Sequence, residues 1–220
     1  ADYFLLFGKW SEIDDPKRSI SVLVVETKEV RVETISKENK MGHRASSTAT
    51  LAFDGVRVPR GNLIHNPGDG LKLLLASLNK SRPSVAAQAL GIARAAFDEA
   101  VSYINERQQS GRKIIEFQGI QFLLADLATE LAMCEAFLNH VARLIDCGAP
   151  DFSTEASMVK LRASDLAMRM ATEAVQLHGG YGYVKEYKVE RLMRDAKITQ
   201  IWEGTNQVHR QLIGRAFMEK

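Results

Sequence analysis

Asn66-Pro67-Gly68-Asp69-Gly70-Leu71-Lys72-Leu73-Leu74-Leu75-Ala76-Ser77-Leu78 is where the chain changes character. The Asn, Pro, Gly and Asp residues favour turn geometry over a ladder or a helix interior. Beyond them apolar residues fall at helical spacing: Leu71, Leu74, Leu75, Leu78, then Val85, Ala89, Ala93, Phe97, Val101 and Ile104. That period predicts one long amphipathic helix. Pro83 lies inside it without a backbone N–H, so a kink or local adjustment is expected near Asn79 to Arg82. The helix is expected to stop around Ser110-Gly111.

Further helices follow from there. A second is predicted from about Ile115 to Ile145, with Ile120, Leu124, Leu127, Leu131, Leu138, Val141 and Ile145 on one stripe, closed by Cys147-Gly148-Ala149-Pro150-Asp151. A third, Ala- and Met-rich and so suited to close packing, runs from about Ser153 to Leu177. A short one covers Val189 to Lys197, and the last starts near Thr205 and carries Val208, Leu212, Ile213 and Phe217. Brief connections make an antiparallel four-helix bundle the economical packing.

Before the Asn66-Pro67 break, residues 1 to about 64 read as β. Tyr3 to Trp10, Ile20 to Thr27, Val30 to Ser36 and Ala49 to Val58 are rich in branched and aromatic residues. Turn material separates them at Asp14-Asp15-Pro16, Glu38-Asn39-Lys40 and Pro59-Arg60-Gly61. Strands without helical cover leave open edges that something must pair or hide. The expected organisation is mainly α: a partial antiparallel β domain over residues 1–64, then a helical bundle domain over residues 68–220.

Composition narrows the function classes. Of 220 residues, 45% are apolar and 25% charged, as in ordinary globular proteins. The net charge of +2, from 29 basic and 27 acidic residues, gives no support for a nucleic-acid or membrane surface. The longest apolar runs, Phe4-Leu5-Leu6-Phe7 and Leu73-Leu74-Leu75, are far too short to span a bilayer. Cys134 and Cys147 lie on one predicted helical stretch, roughly 20 Å apart, and read as free thiols in a reducing compartment. No His or Cys spacing suggests a metal site. The chain opens on Ala1-Asp2-Tyr3-Phe4, already strand-like, and is expected to begin inside a larger protein.

Three polar segments interrupt the bundle pattern. Glu106-Arg107-Gln108-Gln109-Ser110-Gly111-Arg112-Lys113 is either a cation-rich phosphate contact or a helix C-cap, with cations favouring the dipole and Gly ending the helix. Gln176-Leu177-His178-Gly179-Gly180-Tyr181-Gly182 is either a loop permitting close phosphate approach or a glycine-rich turn between helices. Ile201-Trp202-Glu203-Gly204-Thr205-Asn206 delivers one carboxylate to the start of a helix that Thr205 or Asn206 can cap. A carboxylate so placed is pulled two ways, since burial against the ring disfavours charge and the helix start favours it. By spacing alone Glu203 reads as a solvated or dipole-stabilised surface acid at a cap.

Taken together, these segments resemble the acyl-CoA dehydrogenases. The resemblance lies in Met41-Gly42-His43-Arg44-Ala45-Ser46-Ser47-Thr48 with Phe53-Asp54-Gly55-Val56-Arg57-Val58-Pro59, in Arg107-Gln108-Gln109-Ser110-Gly111 with Phe117-Gln118, in Gln176 to Gly182, in Arg191-Leu192-Met193-Arg194-Asp195-Ala196-Lys197 and in Ile201 to Gln207. These motifs span the whole chain in the family's order.

The resemblance implies the later part of a middle β domain followed by the C-terminal bundle, with the N-terminal helical domain and first half of the β domain absent. It implies FAD-dependent α,β-dehydrogenation of an acyl-CoA thioester to a trans-2-enoyl-CoA, in fatty acid β-oxidation. Glu203 matches the catalytic base. Some members place the base instead at the position of Ser81, where a hydroxyl cannot serve. Arg107, Gln109, Gln118, Gln176, Leu177, His178, Gly179 and Gly180 match positions holding the FAD pyrophosphate and adenosine, largely across a dimer interface.

Thr205 and Gln207 match further flavin contacts, and Asn79, Lys80, Ser81, Arg82 and Gly204 match acyl-CoA contacts. Ser110 stands where the family usually has an aromatic residue, and Asn79 where many members have Asp. Implied partners are an electron-transferring flavoprotein and further copies of the chain, as a homodimer or homotetramer. The implied compartment is the bacterial cytoplasm or the mitochondrial matrix. With half of the flavin envelope missing, the chain alone is expected to hold little FAD. Two alternatives are an acyl-CoA oxidase, which passes electrons to oxygen, and a non-catalytic helical self-association module.

Overall fold

The computed structural model describes residues 1–15, 18–28 and 30–218. Pro16 of the first expected turn and the last two residues of the expected bundle lie outside them. The chain divides into two compact units, one formed by Ala1–Lys40 with Arg44–Leu78, the other by Met41–His43 with the chain from Asn79 onward.

In the first unit β1 (Tyr3–Lys9), β2 (Ile20–Glu26) and β5 (Leu63–Ile64) form an antiparallel sheet in the order β1-β2-β5. β3 (Glu33–Lys37) and β4 (Ala49–Ala52) form a separate antiparallel pair with an irregular register between Thr34 and Ser36. The expected fourth strand to Val58 stops at Ala52, because Asp54-Gly55 turns the chain with Gly55 at φ 62°. L side chains rarely adopt that conformation. Val22 and Val25 are the buried apolar residues of β2. Phe4 meets Phe53 edge-on at 5.8 Å, and Asn62 Nδ2 donates to the Val24 carbonyl at 3.0 Å.

The remaining elements make the mainly α architecture, an antiparallel bundle preceded by the small antiparallel sheets. α1 (Gly70–Glu106) starts in the first unit, continues into the second and stays helical across Pro83. α2 (Gln118–Asp146), α3 (Ser153–His178), α4 (Val189–Thr199) and α5 (Asn206–Arg215) follow. α3 is the central helix, buried along most of its length. Its Ala156, Ala163, Ala167, Ala171 and Ala174 share one core cluster with Ala86, Ala89, Ala93, Ala96 and Ala100 of α1. Residues that small allow close helix approach, and any added methylene there overfills the core. Leu127, Leu131 and Val141 are the fully buried residues of the α2 stripe. Leu75 of the predicted α1 stripe is instead 51% exposed.

The expected helix end at Ser110-Gly111 is corrected. α1 ends at Glu106, and β6 (Gln108–Gln109) pairs with β7 (Arg112–Lys113) in a two-residue hairpin. Ser110 at φ 53° and Gly111 at φ 80° supply the two successive positive φ angles that such a hairpin turn needs. A Ser-Gly pair after a helical run looks the same in sequence whether it caps the helix or turns a hairpin. α2 also begins later than expected, at Gln118, because Ile114–Glu116 forms a 3-10 turn.

Candidate active site

Two groups of residues stand out in the helical unit. The first surrounds Glu203, on the turn joining α4 to α5. Ile201 and Trp202 donate their N–H groups to the Ile198 carbonyl at 2.8 and 3.0 Å, closing the end of α4. Glu203 at φ 53° and Gly204 at φ 99° then reverse the chain. A non-glycine residue in the left-handed region costs about 1–2 kcal/mol and persists where the surroundings hold it. Thr205 caps α5, its Oγ1 accepting from the Val208 N–H at 3.4 Å. The other cap candidate, Asn206, turns inward and is buried.

That backbone aims Glu203 at α1, where Ser81 Oγ donates to its Oε2 at 2.6 Å. Arg82, the next residue of α1, reaches the same region. The residue is 6% exposed, and its Nη1 donates to Asn79 Oδ1 at 2.7 Å and more weakly to Ser157 Oγ at 3.5 Å. Burial holds Arg82 below its ordinary value, and the Glu203 charge draws it part of the way back. The Asn79 carbonyl thus accepts from Arg82 with the oxygen that an Asp would offer.

Beneath the turn lie two residues that sequence reasoning did not assign. Lys160 of α3 is 0% exposed and donates to the Gly204 carbonyl at 2.7 Å and to Asn206 Oδ1 at 3.0 Å. Burial pushes its ammonium down to about 8, with Arg82 adding to that effect and Asp165 and Glu203 opposing it. His209 of α5 is also 0% exposed. Burial foremost, then Lys160 and Arg82, lowers it to about 4. The Glu203 and Gly204 backbone at its ring opposes this shift, though neither ring nitrogen completes a hydrogen bond. Asn206 is fixed in turn by Ser164 Oγ at 2.9 Å and Asp165 Oδ1 at 2.7 Å. A lysine in register with the small-residue stripe of α3, between Ala156 and Ala163, was the available signal.

Trp202, next to Glu203 in sequence, packs at 5.4 Å against His43. Asp195 holds that histidine, taking the His43 backbone N–H at 2.6 Å on Oδ1 and Nε2 at 3.1 Å on its carbonyl. Because a carbonyl only accepts, the contact assigns the proton to Nε2. Arg194 Nη1 reaches the Met41 carbonyl at 2.7 Å, so Met41-Gly42-His43 is seated on the end of α4.

The second group lines a concavity of about 600 Å³ formed by the end of α1, the β6–β7 hairpin and the end of α3. Arg107, Gln109, Gln176, Leu177, His178, Gly179 and Gly180 all line it. His178 is a structural part of its wall: the ring stacks on Tyr103 at 4.2 Å, and Nδ1 lies 2.8 Å from the Ala174 carbonyl. Gly179 leaves α3 at φ 60°, ψ −138°, and a Cβ on it or on Gly180 would point into open space. Two bare glycines beside the exposed Arg107 cation fit a phosphate-bearing cofactor. Gln118 begins α2 and does not line the concavity, while Thr205 and Gln207 stand with Glu203 at the start of α5. The cofactor residues expected from sequence therefore form two separate groups.

Among the described residues no cluster of His, Cys, Asp and Glu could hold a metal ion. None of the described helices is long and apolar enough to cross a membrane.

A family model described as "Acyl-CoA dehydrogenase, C-terminal domain" matches residues 68–218. An acyl-CoA dehydrogenase of Bacillus subtilis is 44% identical over 219 residues, covering 98% of this chain and 56% of the relative. The structure of butyryl-CoA dehydrogenase from Megasphaera elsdenii matches with a TM-score of 0.95 at 40% identity, over 99% of this chain and 56% of that one. A chain in a structure of the electron transferring flavoprotein of Acidaminococcus fermentans matches with a TM-score of 0.96 at 42% identity, over 100% of this chain and 57% of that one. The chain spans about half the length of the relatives it matches.

Proposed function

The chain belongs to the acyl-CoA dehydrogenase family, and on that premise we propose that it carries the proton-abstracting half of an acyl-CoA α,β-dehydrogenation site. The observation carrying this reading is the Glu203 carboxylate, held on a strained left-handed turn with one oxygen on Ser81. Glu203 takes the proton from the carbon alpha to the thioester carbonyl. FAD, when bound, supplies the acceptor at N5 for the hydride leaving the beta carbon, and the C–C bond becomes the trans double bond of a 2-enoyl-CoA.

Removing an alpha proton builds enolate-like charge on the thioester oxygen, which needs aimed donors. The backbone N–H of Glu203 is the donor this chain offers. Ser81 occupies Oε2, orients the carboxylate and leaves Oε1 to receive the proton. Asn79, Lys80, Ser81, Arg82 and Gly204 form the acyl-CoA side of the site. The concavity with Arg107, Gln109 and Gln176 to Gly180 takes the FAD pyrophosphate and adenosine, and Gln118 extends it. Thr205 and Gln207 take flavin contacts at the Glu203 turn. Two such groups on one chain suit a cofactor shared between copies in a homodimer or homotetramer.

An electron-transferring flavoprotein is the proposed electron acceptor, in a bacterial cytoplasm or mitochondrial matrix. The test is Glu203→Gln in the full-length, flavin-loaded protein. FAD and acyl-CoA binding should persist while flavin bleaching by substrate slows about 10²–10⁴-fold, as loss of a general base does. Bleaching at the wild-type rate would remove Glu203 from the role.

A further inference from the structure

Lys160 spends a buried charge on two neutral acceptors. An ammonium withdrawn from water is costly unless ion-paired or well hydrogen-bonded. Its bonds go to the Gly204 carbonyl at 2.7 Å and to Asn206 Oδ1 at 3.0 Å, one on the strained turn and one at the first residue of α5. Asn206 is itself clamped by Ser164 and Asp165 of α3, so the second bond ends on a fixed acceptor. The first bond fixes the Gly204–Thr205 peptide, the second peptide after Glu203. With Glu203 and Gly204 both at positive φ, releasing that carbonyl would let the turn relax at Gly204 and swing the carboxylate away from Ser81. Charged and titratable groups face Lys160 from every side: Arg82 of α1, Asp165 of α3, Glu203 of the turn and His209 of α5.

We propose that Lys160 is a positioning residue for proton abstraction: by gripping the Gly204 carbonyl from α3, it holds the Glu203 carboxylate at the Ser81 hydroxyl. This rests on the reading of Glu203 as the base. Lys160 touches neither substrate nor cofactor in this role. Its effect falls on the substrate-saturated rate and leaves binding alone, since a base displaced by about 1 Å can lose about 10²-fold in rate.

Two variants test it in the flavin-loaded protein: Lys160→Met, which keeps length without a donor, and Lys160→Gln, which keeps an N–H donor. The first readout is amide hydrogen exchange and needs no turnover. Lys160→Met should speed exchange about ten-fold in the segment 203–209 while α1 and α2 stay unchanged, with Lys160→Gln intermediate. The second readout is flavin bleaching at saturating acyl-CoA, which should fall about 10–100-fold in Lys160→Met, with acyl-CoA affinity and the flavin spectrum unchanged. Lys160→Gln should recover part of that loss.

Exchange that rises uniformly across the helical unit, with an unchanged bleaching rate, overturns the proposal in favour of a structural tie. Should Lys160→Met not fold, Lys160→Gln decides: a local rise in exchange with a matching fall in rate supports the role, and wild-type values for both overturn it. Wild-type flavin that no acyl-CoA bleaches overturns the dehydrogenase reading, and the role of Lys160 with it. Wild-type bleaching with an unaffected Lys160→Met overturns Lys160 alone.

Discussion

Acid should charge His209 in the unfolded chain well before it does so in the folded one, and that difference has a calculable effect on stability. The ring is fully buried beside Lys160 and Arg82, and its folded value is about 4 against an ordinary 6.5. Above about pH 6.5 both states hold a neutral imidazole and nothing is lost. Between about 6.5 and about 4 the unfolded state binds a proton that the folded state refuses, so stability falls as pH falls. About 2.5 pH units at about 1.4 kcal/mol each give a loss of about 3.5 kcal/mol, most of it reached by about pH 4 and complete below it.

His209→Leu, close in volume and unable to titrate, should lose none of it. It should also be no less stable at neutral pH, because it removes two buried ring nitrogens that lack partners. Urea unfolding followed by helical circular dichroism, from about pH 7.5 to about pH 4, supplies both free-energy curves. Their difference cancels carboxylate titrations common to the two proteins. Curves that stay parallel would refute the reasoning, since they would mean that the folded imidazole protonates as freely as the unfolded one.

Gly182→Ala should cost a few kcal/mol and lower the melting temperature, because its Cβ would collide with the Val175 carbonyl, a backbone atom that cannot swing aside. Arg107→Met should weaken FAD binding by roughly ten-fold or more in a flavin titration, since the partner proposed for it is a charged phosphate. Its exposed position predicts a change in helical stability within about 0.5 kcal/mol. A melting temperature that falls with the loss of flavin affinity would instead make Arg107 structural.

How much could be read beforehand follows the range of the forces involved. The bounds of α3 and α4 were legible within a residue or two, because helical periodicity and cap chemistry act between neighbours three or four positions apart. The same local reading put Glu203 just before a helix that Thr205 or Asn206 could cap, and packing chose Thr205. It misjudged Ser110-Gly111, since cap and hairpin share one residue signature and differ only in what the next strand pairs with. It also extended β4 past Ala52, because branched residues continue beyond the point where Gly55 turns the chain.

What surrounds Glu203 was beyond local reading. Ser81 is 122 positions away in sequence, and Lys160 is 44 positions from the Gly204 carbonyl it holds. A serine on one helix and a lysine on another each look ordinary until packing removes the water between them. Sequence by itself therefore determined the helices, the turn and the candidate base, through rules that act between near neighbours. Only the tertiary structure decided the Glu203 carboxylate's hydrogen-bond partner, the buried cation behind it and the neutral histidine beneath, because desolvation and charge coupling arise where distant segments are brought together.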